Sequence, residues 1–431
     1  MGHAQCTPIV RGQCLKTALV LSGGGARGAY EAGVISFLRN DLEPRLGRPL
    51  RLDILCGTSV GALTACSLAS TADRPSRQGL ELVKFWSKIS LKQVLRFGVT
   101  DLVRTLREHG GGGLANPEGM RELLCAIEWK SIGRNIRNGL LEALSICATR
   151  VSDGRTTLFV QQEKPLGPVW VDNPHFEAMR ARIGPRHALA SAAMPVLFTP
   201  VALGGQLYLD GGLRMNVPVS PALRLGAQRV VVISLQPQAA RVRVVPALPV
   251  RPTALFLAGK AINSLLQDRL DQDVENMRRI NSIIEEGYDA FGADFTHSMN
   301  RALDAYRTFP LRYVRNMLVR PSRDLGAIAA QCVRTHDFLL RHPQVPGLFL
   351  SVLGGHASQD SADLASYLLF DPGFAEELIA LGRSDARAHE DEWARFFDDT
   401  PICDAEAAEL DRAAFTSRSG SSATLAARGT G

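Results

Sequence analysis

The sequence predicts an α/β fold with a mostly parallel central sheet covered by helices, followed by a mainly helical C-terminal region. Three stretches carry that expectation. Residues 17–38, TALVLSGGGARGAYEAGVISFL, pass from a β-branched and apolar strand through a glycine loop into residues at helical spacing (Tyr30, Gly33, Val34, Phe37, Leu38). Residues 52–56 form a second strand after a polar, proline-containing return. A strand–helix–strand unit of this kind crosses over right-handed, so the two strands run parallel. Residues 229–234, RVVVIS, are a continuous β-branched run of the kind buried on both faces of a sheet.

Each element has its own signal. Residues 1–15 read as a frayed lead-in. The loop Gly23–Gly28 opens a helix, where unpaired N–H groups and the positive dipole end attract negative charge. The residues alone leave open whether that charge is a phosphate or a reaction oxyanion. The second strand runs into Gly57-Thr58-Ser59-Val60-Gly61, and residues 62–69 continue as a small-residue helix. Residues 77–107 are amphipathic at helical spacing, and Gly110 to Gly113 reads as a flexible connector because no strand precedes it. Asn116-Pro117-Glu118 has the form of an N-cap, first-turn proline and acidic first turn. Residues 144–150 and 156–161 form a hairpin about Asp153-Gly154. Residues 187–194 are a short Ala-rich helix, and 196–203 pairs with 206–209 across Gly204-Gly205. Beyond 236, helical patterns cover 254–280, 296–308, 324–340 and 363–397, the last divided at Asp371-Pro372. Residues 416–431, rich in Ser, Gly, Ala and Thr, read as a disordered tail. The expected organisation is a lead-in (1–15), a catalytic domain (16–236), a helical C-terminal region (237–415) and a tail (416–431).

Composition excludes several function classes. With 45% hydrophobic and 21% charged residues, the 431-residue chain is ordinary globular protein. A net charge of +6 is too small at this length for a dedicated nucleic-acid binder, although it modestly favours anionic membrane surfaces. The eight cysteines include no Cys-x-x-Cys pair and no Cys/His cluster at zinc spacing, which argues against structural metal and a disulfide framework. That usage points to a reducing, cytoplasmic compartment. No signal-peptide apolar region and no membrane-length apolar run stands out, so a soluble chain is expected, at most peripheral to a membrane. Residues 244–266 read as a loop and core helix, with an interfacial segment as the second reading.

The chemistry concentrates at two strand ends. Gly57-x-Ser59-x-Gly61 between a strand and a helix has the form of a nucleophile elbow, in which a sharp turn pushes the serine out at the carboxyl edge of the sheet. A serine nucleophile needs an oxyanion hole and a base. The Val60 N–H supplies one donor, and the loop Gly23, Gly24, Gly25, Ala26, Arg27 and Gly28 supplies the rest, because parallel neighbouring strands place both turns at one edge. Asp210, at another strand end beside Gly211 and Gly212, is the best-placed acid. Taken by itself it reads first as a turn aspartate at a hairpin exit.

Gly-Gly-Gly-Ala-Arg-Gly at 23–28, Gly-Thr-Ser-Val-Gly at 57–61 and Asp-Gly-Gly at 210–212, with SAAMPVLFTPVALGGQLYLDGGLRMNVPV at 191–219, resemble the patatin-like phospholipase family. The resemblance covers about residues 17–236. It implies a three-layer patatin-like fold and hydrolysis of an acyl ester in a lipid, without metal or organic cofactor. It also implies a Ser-Asp dyad, with Ser59 as the acylated nucleophile, Asp210 as the general base and no histidine. Arg27 occupies the family's basic position in the loop, where it holds the loop or steers an anionic head group; a solvated loop arginine is the equal alternative.

Three rivals stand beside this reading. Gly23-x-Gly25-x-x-Gly28 also spells the dinucleotide fingerprint, but the second strand ends Leu55-Cys56-Gly57-Thr58-Ser59 without the acid that would bind the ribose. A Ser-His-Asp α/β-hydrolase would need a histidine at a strand end. His109, His187, His297, His336, His342, His356 and His389 all lie in or beside helical patterns. A non-catalytic lipid-binding or regulatory protein on the same fold is the third.

Overall fold

A computed structural model describes residues 15–94, 121–122, 124–167, 170, 176–195, 198–237, 270–305, 310–335, 338, 366–401 and 405–407. The expected features at residues 1–14, 110–118, 244–266 and 416–431 lie outside these.

The strands are β1 (Thr17–Leu21), β2 (Ile54–Thr58), β3 (Ala143–Arg150), β4 (Thr156–Gln162), β5 (Phe176–Arg180), β6 (Val201–Leu203), β7 (Gln206–Asp210), β8 (Arg229–Ile233) and β9 (Arg315–Val319). They form one sheet in the order β5-β4-β3-β2-β1-β8-β9, with β7 pairing β3 and β6 pairing β7. The central neighbours β3-β2-β1-β8-β9 are all parallel, whereas β3 meets β4 and β7 antiparallel. The principal helices are α1 (Ala29–Phe37), α2 (Val60–Ser70), α3 (Pro75–Trp86), α4 (Trp129–Arg137), α5 (Pro185–Ser191), α6 (Val219–Arg224), α7 (Leu270–Phe291), α8 (Phe295–Ala305), α9 (Leu325–Val333), α10 (Pro372–Ala388) and α11 (Glu390–Phe397).

Strand alternation sorts the core into two layers around the sheet. Leu19, Leu21, Leu55, Val231 and Ile233 point into the larger cluster, with α1, α2 and α10. Their neighbours Ala18, Val20, Ile54, Cys56, Val230 and Val232 point to the other face, against α6 and α7. Because both faces are covered, the strands read as unbroken apolar runs. The mixed α/β fold with a mostly parallel sheet is thus the expected one.

Four details differ from the expectation. The helix read over 77–107 is α3 alone up to Trp86, followed by a one-turn piece at Leu91–Val94, with 95–107 outside the described residues. The strand read over 196–203 is described as strand only at Val201–Leu203. Strand β5 and helix α4 were not expected, although Trp129, Ile132 and Ile136 of α4 fall at helical spacing. Above all, the helical C-terminal region contributes β9, in parallel register with β8 from Arg229↔Arg315 to Ile233↔Val319. At the end of the 363–397 pattern, Asp371 caps α10 by accepting from the Gly373 and Phe374 N–H groups, and a second break falls at His389. No helix among the described residues is long and apolar enough to cross a membrane.

The C-terminal helices are built into the core beside the glycine loop. Helix α10 lies along α1 so closely that a Cβ on Gly33 would stand 2.3 Å from the Ile379 carbonyl oxygen, and one on Gly382 2.3 Å from that of Tyr30. The Tyr30 hydroxyl donates to Asp385 at 3.0 Å within this seam, and the Ser322 N–H donates to the same carboxylate oxygen at 3.0 Å. Gly382→Val should therefore destabilise the protein by about 2 kcal/mol through overpacking. Chemical denaturation checks this; unaltered stability would show that the seam gives way without cost.

Candidate active site

The site is assembled by strand register. Along one side of β3, Cys147 pairs with Thr58 at the end of β2, and the next residue, Ala148, pairs with Asp210 at the end of β7. Two strands arriving from opposite directions therefore abut on one edge of β3. Ser59, one residue beyond β2, meets Asp210 there, and the Ser59 hydroxyl donates to Asp210 Oδ2 at 2.7 Å. Sequence reasoning named both residues, and the fold brings them together across 151 positions.

Ser59 sits at φ 55°, ψ −122°, the one positive-φ non-glycine among the described residues. Such a conformation costs on the order of 1–3 kcal/mol and persists only where surrounding contacts enforce it. Those contacts need bare backbone on both sides: a Cβ on Gly57 would lie 2.2 Å from the Gly61 carbonyl oxygen, and one on Gly61 2.5 Å from that of Leu21. The Ser59 N–H donates to Ser191 Oγ at 3.0 Å, which ties the elbow to α5.

Asp210 is fully buried, and burial pushes its pKa up to about 6, with hydrogen bonds from Ser59 and the Gly212 N–H opposing the shift. Its Oδ1 accepts from Gly212 N–H at 2.7 Å, its own N–H donates to the Ala193 carbonyl at 2.9 Å, and its carbonyl accepts from Thr149 Oγ1 at 2.9 Å. Gly211 is squeezed against Cys147, whose carbonyl oxygen would lie 2.4 Å from an added Cβ.

The glycine loop lies beside the elbow, as the parallel pairing of Leu21 with Gly57 requires. A Cβ on Gly23 would stand 3.2 Å from Ser59 Cβ, and Gly28 packs against the Val60 side chain. Two loop N–H groups are already committed, Gly23 to the Asn216 carbonyl at 3.1 Å and Arg27 to the Gly24 carbonyl at 3.1 Å. Ala26 is buried in the core, while Gly25 and Val60 line the cavity. Arg27 is no solvated loop residue. It is 2% exposed, its Nε donates to Ser366 Oγ at 2.7 Å, and its guanidinium lies 3.9 Å from the centre of the Tyr367 ring. It fastens the loop to the segment preceding α10.

Ser59, Asp210, Gly25 and Val60 open onto a cavity of about 410 Å³. Its walls are largely apolar. Leu63 comes from α2, Leu82, Phe85 and Trp86 from α3, and Met194 and Phe198 from the turn after α5. Tyr367, Leu368 and Phe370 close it from the C-terminal side, with Phe370 stacked on Trp86 at 6.3 Å between ring centres. None of the described histidines lines it. The His187 ring lies edge-on to Phe159 and accepts from the Gly184 N–H, His297 is exposed, and His389 pairs with Glu392.

Sequence reasoning missed Ser191 and Asn216, which position the elbow and the loop. Both lie inside the motif-bearing stretch 191–219, so that stretch was the available signal. It also missed Tyr367, Leu368 and Phe370, for which nothing local in the sequence announces a contact with a loop more than three hundred residues earlier.

A strained serine on a strand-to-helix turn, hydrogen-bonded to a buried carboxylate at the mouth of an apolar cavity, defines an α/β protein of the serine-elbow type. Residues 19–223 match the family model for the patatin-like phospholipases. It is 29% identical over 227 residues to the uncharacterized protein YjjU of Escherichia coli (52% of either chain). It is 31% identical over 203 residues to a cGAMP-activated phospholipase of Pseudomonas aeruginosa (46% of this chain, 53% of that one). It is 27% identical over 221 residues to human patatin-like phospholipase domain-containing protein 6 (51% and 13%). The chain thus spans about half the length of the first two relatives.

Arg27→Met keeps the bulk of the side chain but removes its hydrogen bond and its cation–π contact. Hydrogen exchange in residues 366–370 should then rise at least about tenfold, the loss of roughly 1.4 kcal/mol of local stability. Unchanged protection there would show that Arg27 does not hold the segment.

Proposed function

We propose that this chain is a serine lipid acyl hydrolase of the phospholipase A or lysophospholipase type. The observation that carries the reading is the 2.7 Å hydrogen bond from the strained Ser59 to the buried Asp210 at an apolar cavity. The match of residues 19–223 to the patatin-like phospholipase family model, and a relative named as a phospholipase, support a lipid substrate.

In this mechanism the Ser59 oxygen attacks the ester carbonyl carbon as its proton passes to Asp210 Oδ2. The carbonyl oxygen becomes an oxyanion, held by the N–H groups of Val60 and of the glycine loop at Gly24 and Gly25. Collapse of the tetrahedral intermediate breaks the ester bond, and Asp210 returns the proton to the leaving alcohol. Water then attacks the acyl-Ser59 ester, giving its proton to Asp210, which passes it to the Ser59 oxygen as the acyl–oxygen bond breaks, so that the fatty acid leaves and Ser59 and ionised Asp210 are regenerated. An ordinary carboxylate is a weak base for this task. Burial corrects that, because desolvation raises its proton affinity to the acid side of neutrality, where it is still ionised at pH 7 yet basic enough to share the proton in the transition state.

Ser59→Ala should abolish labelling by a fluorophosphonate probe together with ester hydrolysis, and Asp210→Asn should lower kcat at least about a hundredfold. Retained labelling of Ser59→Ala, or full activity of Asp210→Asn, would overturn the assignment.

Asp210 must be ionised to accept the proton, so kcat/KM should fall as pH drops through about 6, tenfold per pH unit below it. A pH profile of the wild type tests this. An acid limb near pH 4 would mean that burial does not tune this carboxylate as argued.

A further inference from the structure

Helix α2 begins at the nucleophile, and one stripe of it lines the cavity from end to end. Val60, Leu63, Thr64, Ser67 and Thr71 all face the same space, and Arg74 follows at the far end. The cavity therefore runs along the helix axis rather than lying across its tip. Ser67 stands about 12 Å along that axis from Ser59, and Thr71 about 18 Å, at 1.5 Å per residue.

The two threonines of the stripe do not add a free hydroxyl to this wall. Thr64 Oγ1 donates to the Val60 carbonyl at 3.1 Å and Thr71 Oγ1 to the Ser67 carbonyl at 2.8 Å, so both hydroxyls are turned back onto the helix. Leu82, Phe85 and Trp86 of α3 form the facing wall. The apolar character ends abruptly at Arg74, which pairs with Glu128, the two side chains being 35% and 52% exposed. A hydrocarbon chain gains nothing from reaching a hydrated ion pair.

We propose that this groove is an acyl ruler: it takes one long, unbranched acyl chain laid along α2, with its ester carbonyl at Ser59 and its methyl end short of the Arg74–Glu128 pair. The proposal rests on the Ser59 acyl-enzyme reading above. An extended chain advances about 1.3 Å per carbon, given C–C bonds of about 1.5 Å, so the groove accommodates roughly fourteen carbons. The preferred substrate class is then esters of medium- to long-chain fatty acids, with Ser67 and Thr71 as the residues that read chain length.

The test is kcat/KM for 4-nitrophenyl esters from butanoyl to octadecanoyl, at concentrations where they are monomeric. In the wild type each added methylene should raise kcat/KM about three- to fourfold, levelling off near fourteen carbons. Ser67→Phe plugs the groove about 12 Å from the nucleophile and should move the plateau to about nine carbons, while Thr71→Phe, about 18 Å along, should leave it near fourteen. The tetradecanoyl-to-octanoyl ratio should fall at least about tenfold in Ser67→Phe. An unchanged plateau in both variants, or the same shift in both, overturns the ruler. Hydrolysis of the butanoyl ester that still requires Ser59 would in that case leave the acyl-hydrolase reading standing. Absence of Ser59-dependent hydrolysis of every ester removes both.

Discussion

The rest of the site depends on the edge of β3 where two strands meet end to end. Cys147 holds Thr58 and Ala148 holds Asp210, so the separation of serine and carboxylate is set by backbone pairing rather than by side-chain choice. A hydrogen-bond ladder fixes register to within a fraction of a residue, and a slip by one would turn every side chain of β7 to the opposite face. The sheet thus supplies the precision, and the glycines around Ser59, at 57 and 61, let the chain leave it sharply enough to present the hydroxyl.

Burial is used differently for the two acids closest to this edge. Asp210 keeps a Gly212 N–H and the Ser59 hydroxyl as donors, so its proton affinity rises only to the acid side of neutrality. Glu31 in α1 is as deeply buried, yet neither of its carboxylate oxygens has a hydrogen-bond partner among the described residues. Desolvation pushes Glu31 well above the usual carboxylate range. Two hydrogen bonds at normal length are what Asp210 has and Glu31 lacks.

What the sequence revealed follows the same division between local and distant causes. The glycine loop, the elbow and the Asp-Gly-Gly turn are short, local and chemically constrained, and Ser59 and Asp210 could be named from them. The parallel sheet was legible because both faces are covered and its strands are unbroken apolar runs. Strand β9 was not, since RNMLV is two polar residues followed by three apolar ones, too short a signal to read as a strand, and it lies at a sheet edge with its pairing supplied only by β8. Arg27 was undecidable locally: solvation or burial depended on whether Ser366 and Tyr367 arrived above it.

That arrival has a temporal side. The hydrogen bond from Arg27 to Ser366 closes a span of 339 residues, and Gly25 rests directly beneath the Tyr367 carbonyl. As the chain emerges from the ribosome, the serine, its carboxylate and the glycine loop are all present by residue 212, yet the loop lacks its clamp and the cavity its last wall until residues 366–370 follow. Contacts so distant in sequence form late. A nascent chain therefore carries Ser59, Asp210 and the glycine loop for a long interval without the segment that walls them in.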